Sequence, residues 1–266
     1  MRRPPDPPFR RRRARSSVGS MKPEEYLTSL DADGSAFAVA AEGNLTAPVT
    51  ACPGWTVADL VHHLGRVHRF WATVVRDRMT EMDRASMIDP ARPDDEDLPA
   101  WYRDGLTELQ LTLAATDPAT TVWTWSPQQN VAFVQRRMAQ ETAVHRWDAQ
   151  LAAHAPEPIG AALAIDGIDE FLSYHLADEG ADEEERISGS VHMHVTGADV
   201  SGGEWMVRFD GRSPVVSHAH EKGDVALRGT GSDLLLALWR RVPLADLDVI
   251  GDGNVAARFL GVADLD

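Results

Sequence analysis

Cysteine is almost missing from this chain. Cys52 is the only one in 266 residues, so an intrachain disulfide and a Cys-rich zinc module are both excluded, and a reducing cytoplasm is the expected compartment. Long apolar runs are missing too. No stretch approaches the roughly 20 residues that span a bilayer, so neither a membrane span nor a membrane partner is expected. Basic residues are outnumbered, 26 Lys and Arg against 41 Asp and Glu, for a net charge of −15 and a pI near 5.0. That balance argues against a nucleic-acid partner, because phosphates would be repelled. Aromatics make up only 7% of the chain, whereas 43% is hydrophobic and 25% charged. Such a chain is a soluble globular protein long enough to bury a core in one large or two modest domains.

The few basic residues are concentrated at one end. Residues 1–20 hold seven arginines and one aspartate, giving +6 and leaving −21 for the remainder. With several prolines and no hydrophobic segment, this stretch reads as a disordered basic arm rather than a signal or anchor, and Met21 reads as an alternative start.

From Pro23 to about Ala153 the pattern predicts four helices. The first, Pro23–Glu42, opens with a proline and two glutamates, which suits a helix N-terminus. In the second, Thr56 and Asp59 form a capping-box pattern ahead of apolar residues Leu60, Leu64, Val67, Trp71 and Val74. After an acidic loop, Asp89–Asp97, the third covers Leu98–Ala115, and the fourth covers Asn130–Ala153. A fifth helix, Ala161–Ala177, leads into the acidic stretch Asp178–Glu185, read as a solvated linker. Beyond it, strands are expected at Ser190–Gly197, Glu204–Gly211, Val215–His220, Asp224–Arg228 and Leu247–Ile250, with helices at Ser232–Arg241 (begun by Ser232) and Asn254–Leu260. The fold class is therefore α+β: a basic arm (1–20), a four-helix bundle (21–158), then a linking helix and a small α+β domain (159–266).

Function is suggested by polar residues on an apolar stripe. In the fourth helix a 3.6-residue period puts Glu141, His145 and Asp148 on the same side as Val131, Val134, Met138, Ala149 and Ala152. Buried carboxylates are costly unless paired or bound to metal. Glu141 and His145, four residues apart, can converge on one ion. In the second helix His63 lies about 60° from the centre of the buried direction, His62 points nearly opposite toward solvent, and His68 sits on the other flank. Two imidazoles and a carboxylate make a three-ligand site with an open position, as in catalytic zinc, with Asp148 orienting a ligand from behind. Iron, nickel and manganese tolerate the same donors. Spacing and face alone leave a second reading open, a hydrogen-bonded His–Glu pair that fixes helix packing.

Two segments carry a resemblance. Cys52-Pro53-Gly54-Trp55-Thr56-Val57-Ala58-Asp59-Leu60-Val61-His62-His63-Leu64 and Arg137-Met138-Ala139-Gln140-Glu141-Thr142-Ala143-Val144-His145-Arg146-Trp147-Asp148-Ala149 are similar to the two signatures of the mycothiol-dependent maleylpyruvate isomerase family. Asp233 to Arg241 and Gly251-Asp252 resemble its C-terminal pattern, so the likeness runs from about Pro23 to Leu260. It implies a DinB-like four-helix bundle and a small α+β C-terminal domain. It also implies a divalent metal, zinc foremost, on His63, Glu141 and His145, mycothiol as thiol cofactor, and Arg241 turned toward the substrate. Arg240 departs from the pattern, standing where glycine is common.

A thiol activated at such a metal would add to an electron-poor double bond, and rotation followed by expulsion of the thiol would convert cis to trans. The partners expected are mycothiol and a small electrophilic substrate, held in an interdomain cleft by a monomer or small homo-oligomer. Two alternatives use the same residues: a mycothiol S-transferase that detoxifies electrophiles, and a non-catalytic metal- or ligand-binding protein. Cys52 lies ahead of a helix N-terminus, which would lower its pKa, but an external thiol makes an enzyme thiol unnecessary. His192, His194, His218 and His220 form a rival set on two putative strands, with His192 and His194 expected to face solvent. Trp123 and Trp125 are expected to pack rather than to line the cleft.

Overall fold

The computed structural model describes residues 21–81, 89–176, 188–197, 203–210 and 214–261. The basic arm and the acidic stretch Asp178–Glu185 lie outside them. Among the described residues four helices come first: α1 (Pro23–Ala41), α2 (Val57–Arg76), α3 (Leu98–Ala114) and α4 (Val131–Ala152). The second and the fourth begin where a side chain satisfies free backbone N–H groups. Thr56 caps α2, its hydroxyl accepting from the Asp59 amide while the Asp59 carboxylate accepts from the Thr56 amide at 2.9 Å. Asn130 caps α4 by accepting from the Phe133 amide at 3.1 Å. Leu30, Phe37, Leu60, Leu64, Tyr102, Leu109, Val131, Val134 and Met138 close the bundle core.

The stripe on α4 is less one-sided than its sequence pattern predicts, because the helix is buried on nearly every face. Val131, Val134, Met138 and Ala149 face the bundle, while Ala139, Ala143 and Val144 belong to a second core. That second core also takes Leu163, Ile168 and Phe171 of α5 (Ala161–Tyr174) and the inner face of the sheet. The charged residues of α4 therefore lie in a helix wedged between two apolar masses, where each needs a partner.

The sheet has five strands, β1 (Ser188–Val195), β2 (Glu204–Asp210), β3 (Val215–Ser217), β4 (Val225–Gly229) and β5 (Asp248–Gly251), in the order β3-β2-β1-β4-β5. Only β1 and β4 run parallel. Val191, Met193, Trp205, Val207, Val225 and Leu227 point to the inner face, covered by α6 (Gly231–Leu238) and α7 (Gly253–Gly261) through Leu234, Leu238, Val255 and Phe259.

Three local expectations are corrected here. β3 ends at Ser217 rather than His220, because the chain leaves the ladder where His218 turns to Asp169 of α5, with Nε2 3.1 Å from Oδ1. The cap of α6 is Thr230, which accepts from the Asp233 amide, whereas the Ser232 hydroxyl accepts from the Ile159 amide at 3.0 Å. That helix also stops at Leu238 instead of continuing to Arg241. Arg240 takes the left-handed conformation, φ 59°. The Arg240 and Arg241 amides bond back to the carbonyls of Ala237 and Leu236. This is a Schellman ending, with arginine at the position that glycine usually holds.

His68 on α2 is fully buried and bonds Thr142 of α4 at 2.9 Å. Burial pushes its pKa down to about 3. The folded protein thus keeps His68 neutral where the unfolded chain, titrating near 6.5, takes up a proton. The contribution of this group is fully present above about pH 6.5 and is lost as pH falls toward 3. We expect His68→Gln to remove up to about 1.4 kcal/mol per pH unit from the slope of unfolding free energy between pH 6 and 4. Identical slopes for the two proteins in denaturant titrations would reject this assignment.

Candidate metal centre

Arg137, Glu141, His145 and Asp148 follow one another at four-, four- and three-residue steps, so they line up along α4. His63 reaches them from α2. Its Nε2 lies 3.2 Å from Glu141 Oε1, and His145 Nε2 lies 3.2 Å from the same oxygen. Each of the three residues offers a ligand atom, and these atoms all lie within 4.8 Å of one another. The imidazole rings meet edge to face with centroids 5.1 Å apart. Trp55 packs against His63, with ring centroids 5.3 Å apart. It is set there by a turn in which the Trp55 amide bonds the Cys52 carbonyl, with Gly54 at φ 86°.

Behind the three lies a set of fixed charges. Arg137 holds Glu141 Oε2, leaving Oε1 to face the histidines. Burial alone would raise the Glu141 carboxyl. The Arg137 guanidinium and hydrogen bonds from His145 and His63 outweigh it, holding the carboxyl well below its usual range. His145 Nδ1 lies 3.0 Å from Asp148 Oδ2, which fixes the ring with Nε2 toward Glu141. Burial opposes the charge on His145, yet the two carboxylates raise its pKa to about 9. Arg241, from the turn after α6, grips Asp148 through Nη2 at 3.0 Å and Nε at 3.3 Å, and its Nη1 donates to the Trp239 carbonyl at 2.8 Å. The small domain therefore touches the cluster through Arg241, Asp148 and His145 in series.

Other sequence candidates fall elsewhere. His62 is half-buried rather than solvent-facing, its ring stacked on Trp101 at 5.6 Å. Trp101 comes this close because Gly65, one turn further along α2, leaves its ring room. Cys52 sits beside the cluster, but burial and then the Asp148 carboxylate push its thiol up, contrary to the lowering that a helix N-terminus would bring. Trp123 stacks on Trp71 at 6.0 Å, and Trp125 packs on Phe133 and Tyr174. His192 is buried rather than solvent-exposed, and His218 leaves the rival set for Asp169.

Sequence reasoning passed over Arg137 and Glu170. Glu170 of α5 is 1% exposed and pairs with Arg137. Arg136 pairs with Asp166 at 2.9 Å. The signal was available: Arg137 lies four residues before Glu141, and Asp166 and Glu170 are acids four apart on one face of a largely apolar helix.

Two solved structures share the architecture. A crystal structure of the mycothiol-dependent maleylpyruvate isomerase matches with a TM-score of 0.58 at 12% identity, over 86% of this chain and 93% of that one. A mutant of that isomerase with a histidine replaced by alanine matches with a TM-score of 0.54 at 11% identity, over 91% and 92%. No curated protein matches the chain. The architecture, a helical bundle joined to a small α+β domain, is shared with those structures, and the family models make the chain an isomerase-like enzyme. The family model described as the mycothiol maleylpyruvate isomerase N-terminal domain matches residues 27–150, and the MDMPI C-terminal domain model matches residues 162–258. The chain belongs to the mycothiol-dependent maleylpyruvate isomerase family.

Proposed function

We propose that this protein is a metal-dependent enzyme that uses mycothiol to isomerise a cis double bond conjugated with a carbonyl. The observation that carries this reading is the convergence of His63 Nε2, His145 Nε2 and Glu141 Oε1 beside an arginine from the second domain. The donor set fits a divalent cation, zinc first, because two imidazoles and one carboxylate oxygen are what catalytic zinc takes, and the cation would displace the proton that His145 otherwise holds. A cation bound there would supply Lewis acidity that favours the thiolate of an incoming thiol at neutral pH.

The chain's own residues do the rest. Arg137 keeps Glu141 ionised, and Asp148 keeps His145 oriented. Arg241 uses Nε, Nη1 and Nη2 on Asp148 and Trp239, which leaves a further hydrogen on each terminal nitrogen for a substrate carboxylate. The sulfur of mycothiol forms a bond to the electron-poor carbon, and the double-bond pair moves onto the conjugated carbonyl. After rotation about the new single bond, the pair returns, the C–S bond breaks and the thiolate leaves unchanged. No oxidant and no net proton is required.

The test uses tag-free protein, stripped with chelator or loaded with Zn²⁺, mixed with mycothiol and maleylpyruvate while isomerisation and free thiol are followed together. Isomerisation should require both zinc and mycothiol, should return the thiol in full, and should survive Cys52→Ser within about threefold, since a surface or half-buried polar swap is mild. Stoichiometric loss of thiol would identify a transferase instead. Activity that is indifferent to zinc, or abolished by Cys52→Ser, overturns the proposal.

A further inference from the structure

The outer face of the C-terminal sheet gathers a second group of metal-ligating side chains, far along the chain from the bundle cluster. Strand alternation puts His192 and His194 of β1 on the face opposite Val191, Met193 and Val195. Cross-strand register sets His194 directly opposite Glu204 of β2. The segment after β3 then brings His220 over the same spot. His192 Nε2 lies 2.8 Å from Glu204 Oε2, His194 Nδ1 2.7 Å from Oε1, and His220 Nδ1 2.6 Å from Oε2. One ligand atom from each of the four residues lies within 4.8 Å of all the others.

We propose that His192, His194, Glu204 and His220 form a second binding site, for a first-row divalent transition cation. Three imidazoles and one carboxylate, with no sulfur and no cluster of oxygens, suit zinc and its neighbours rather than calcium or magnesium. The rings are crowded, with centroids 5.0 Å apart for His192 and His220 and 6.0 Å apart for the other two pairs. Three imidazoles this close to one another share a single carboxylate partner. A divalent cation resolves the crowding, taking one nitrogen from each ring and one carboxylate oxygen. Four protein ligands complete a tetrahedral sphere, which is the arrangement of structural rather than catalytic zinc. Its effect would be mechanical. The ion would tie β1, β2 and the β3–β4 connection together, at a place where His218–Asp169, Glu221–Arg208 and Ser190–Asp224 also fasten that connection.

The burial gradient supports one bound ion with an accessible entrance. The side chains are 9% exposed at His192, about 30% at His194 and Glu204, and 76% at His220. His220 would close last.

The test counts ions. Tag-free, full-length protein is stripped with chelator, equilibrated with Zn²⁺, desalted and analysed for metal. Wild type should retain two zinc ions per chain, one for each group. His194→Ala/His220→Ala should retain one, as should His63→Ala, and zinc should raise the thermal midpoint of His63→Ala but not that of a triple variant lacking all three histidines. His220→Ala alone, at an exposed position, should keep the fold by circular dichroism and lose at least tenfold in zinc affinity. One ion in wild type that His63→Ala abolishes overturns this proposal and leaves the bundle site standing. One ion that survives His63→Ala but not the double variant does the reverse. Two ions retained by the double variant, or none in wild type, overturns it as well.

Discussion

Glu141→Gln is expected to lower metal affinity by about 100-fold or more and to stop isomerisation, because even residues behind a ligand are worth about 10–100-fold. The carboxylate has two duties, each on its own oxygen. Oε1 lies 3.2 Å from both imidazole nitrogens, and Oε2 is held by Arg137. An amide keeps the shape but removes the negative charge that a cation and a buried guanidinium both depend on. His63→Ala should lose metal to a similar extent. His62→Ala should not, since its ring stacks on Trp101 and offers nothing to the cluster. Metal content after desalting, with circular dichroism to confirm folding, separates the variants. Equal loss in His62→Ala and His63→Ala would falsify the assignment.

Glu170→Ala should destabilise the protein by about 3–5 kcal/mol, the usual result of removing one member of a buried ion pair. Arg137 has a side chain only 7% exposed, and that of Glu170 is 1% exposed. Loss of Glu170 leaves Arg137 with Glu141 as its one carboxylate, in the wedge between two apolar cores. Glu170→Gln should cost less, because it can still accept a hydrogen bond. Equilibrium unfolding in denaturant reads the difference. A loss below about 1 kcal/mol, the range of an exposed pair, would show that water reaches the network.

The bundle half of the centre was legible because it rests on helix geometry. A step of about 100° per residue is enough to tell His63 from His62, and to bring Glu141, His145 and Asp148 onto one line. What escaped depends on distant parts of the chain. The grip of Arg241 on Asp148 joins residues 93 apart, and it arises because Arg240 ends α6 with a left-handed turn. The acids that neutralise Arg136 and Arg137 sit on α5, so their role appears only once α4 is known to be buried on both sides. Glu204 joined the histidines of β1 through cross-strand register, while His218 left when β3 ended early. For Cys52, a local argument about helix termini lost to burial and to a carboxylate from α4.

Asp166 accepts from Tyr26 of α1 at 2.7 Å, from Arg136 at 2.9 Å and from Gln140 at 2.9 Å. One carboxylate on α5 thus fastens the first and fourth helices of the bundle. A fragment cut off after the bundle, short of Ala161, would leave Arg136 without its acids, Arg137 with Glu141 as its one remaining acid, and Tyr26 without its acceptor. The helix that follows the bundle in sequence is for this reason its missing wall, and any attempt to isolate the amino-terminal half has to carry α5 with it.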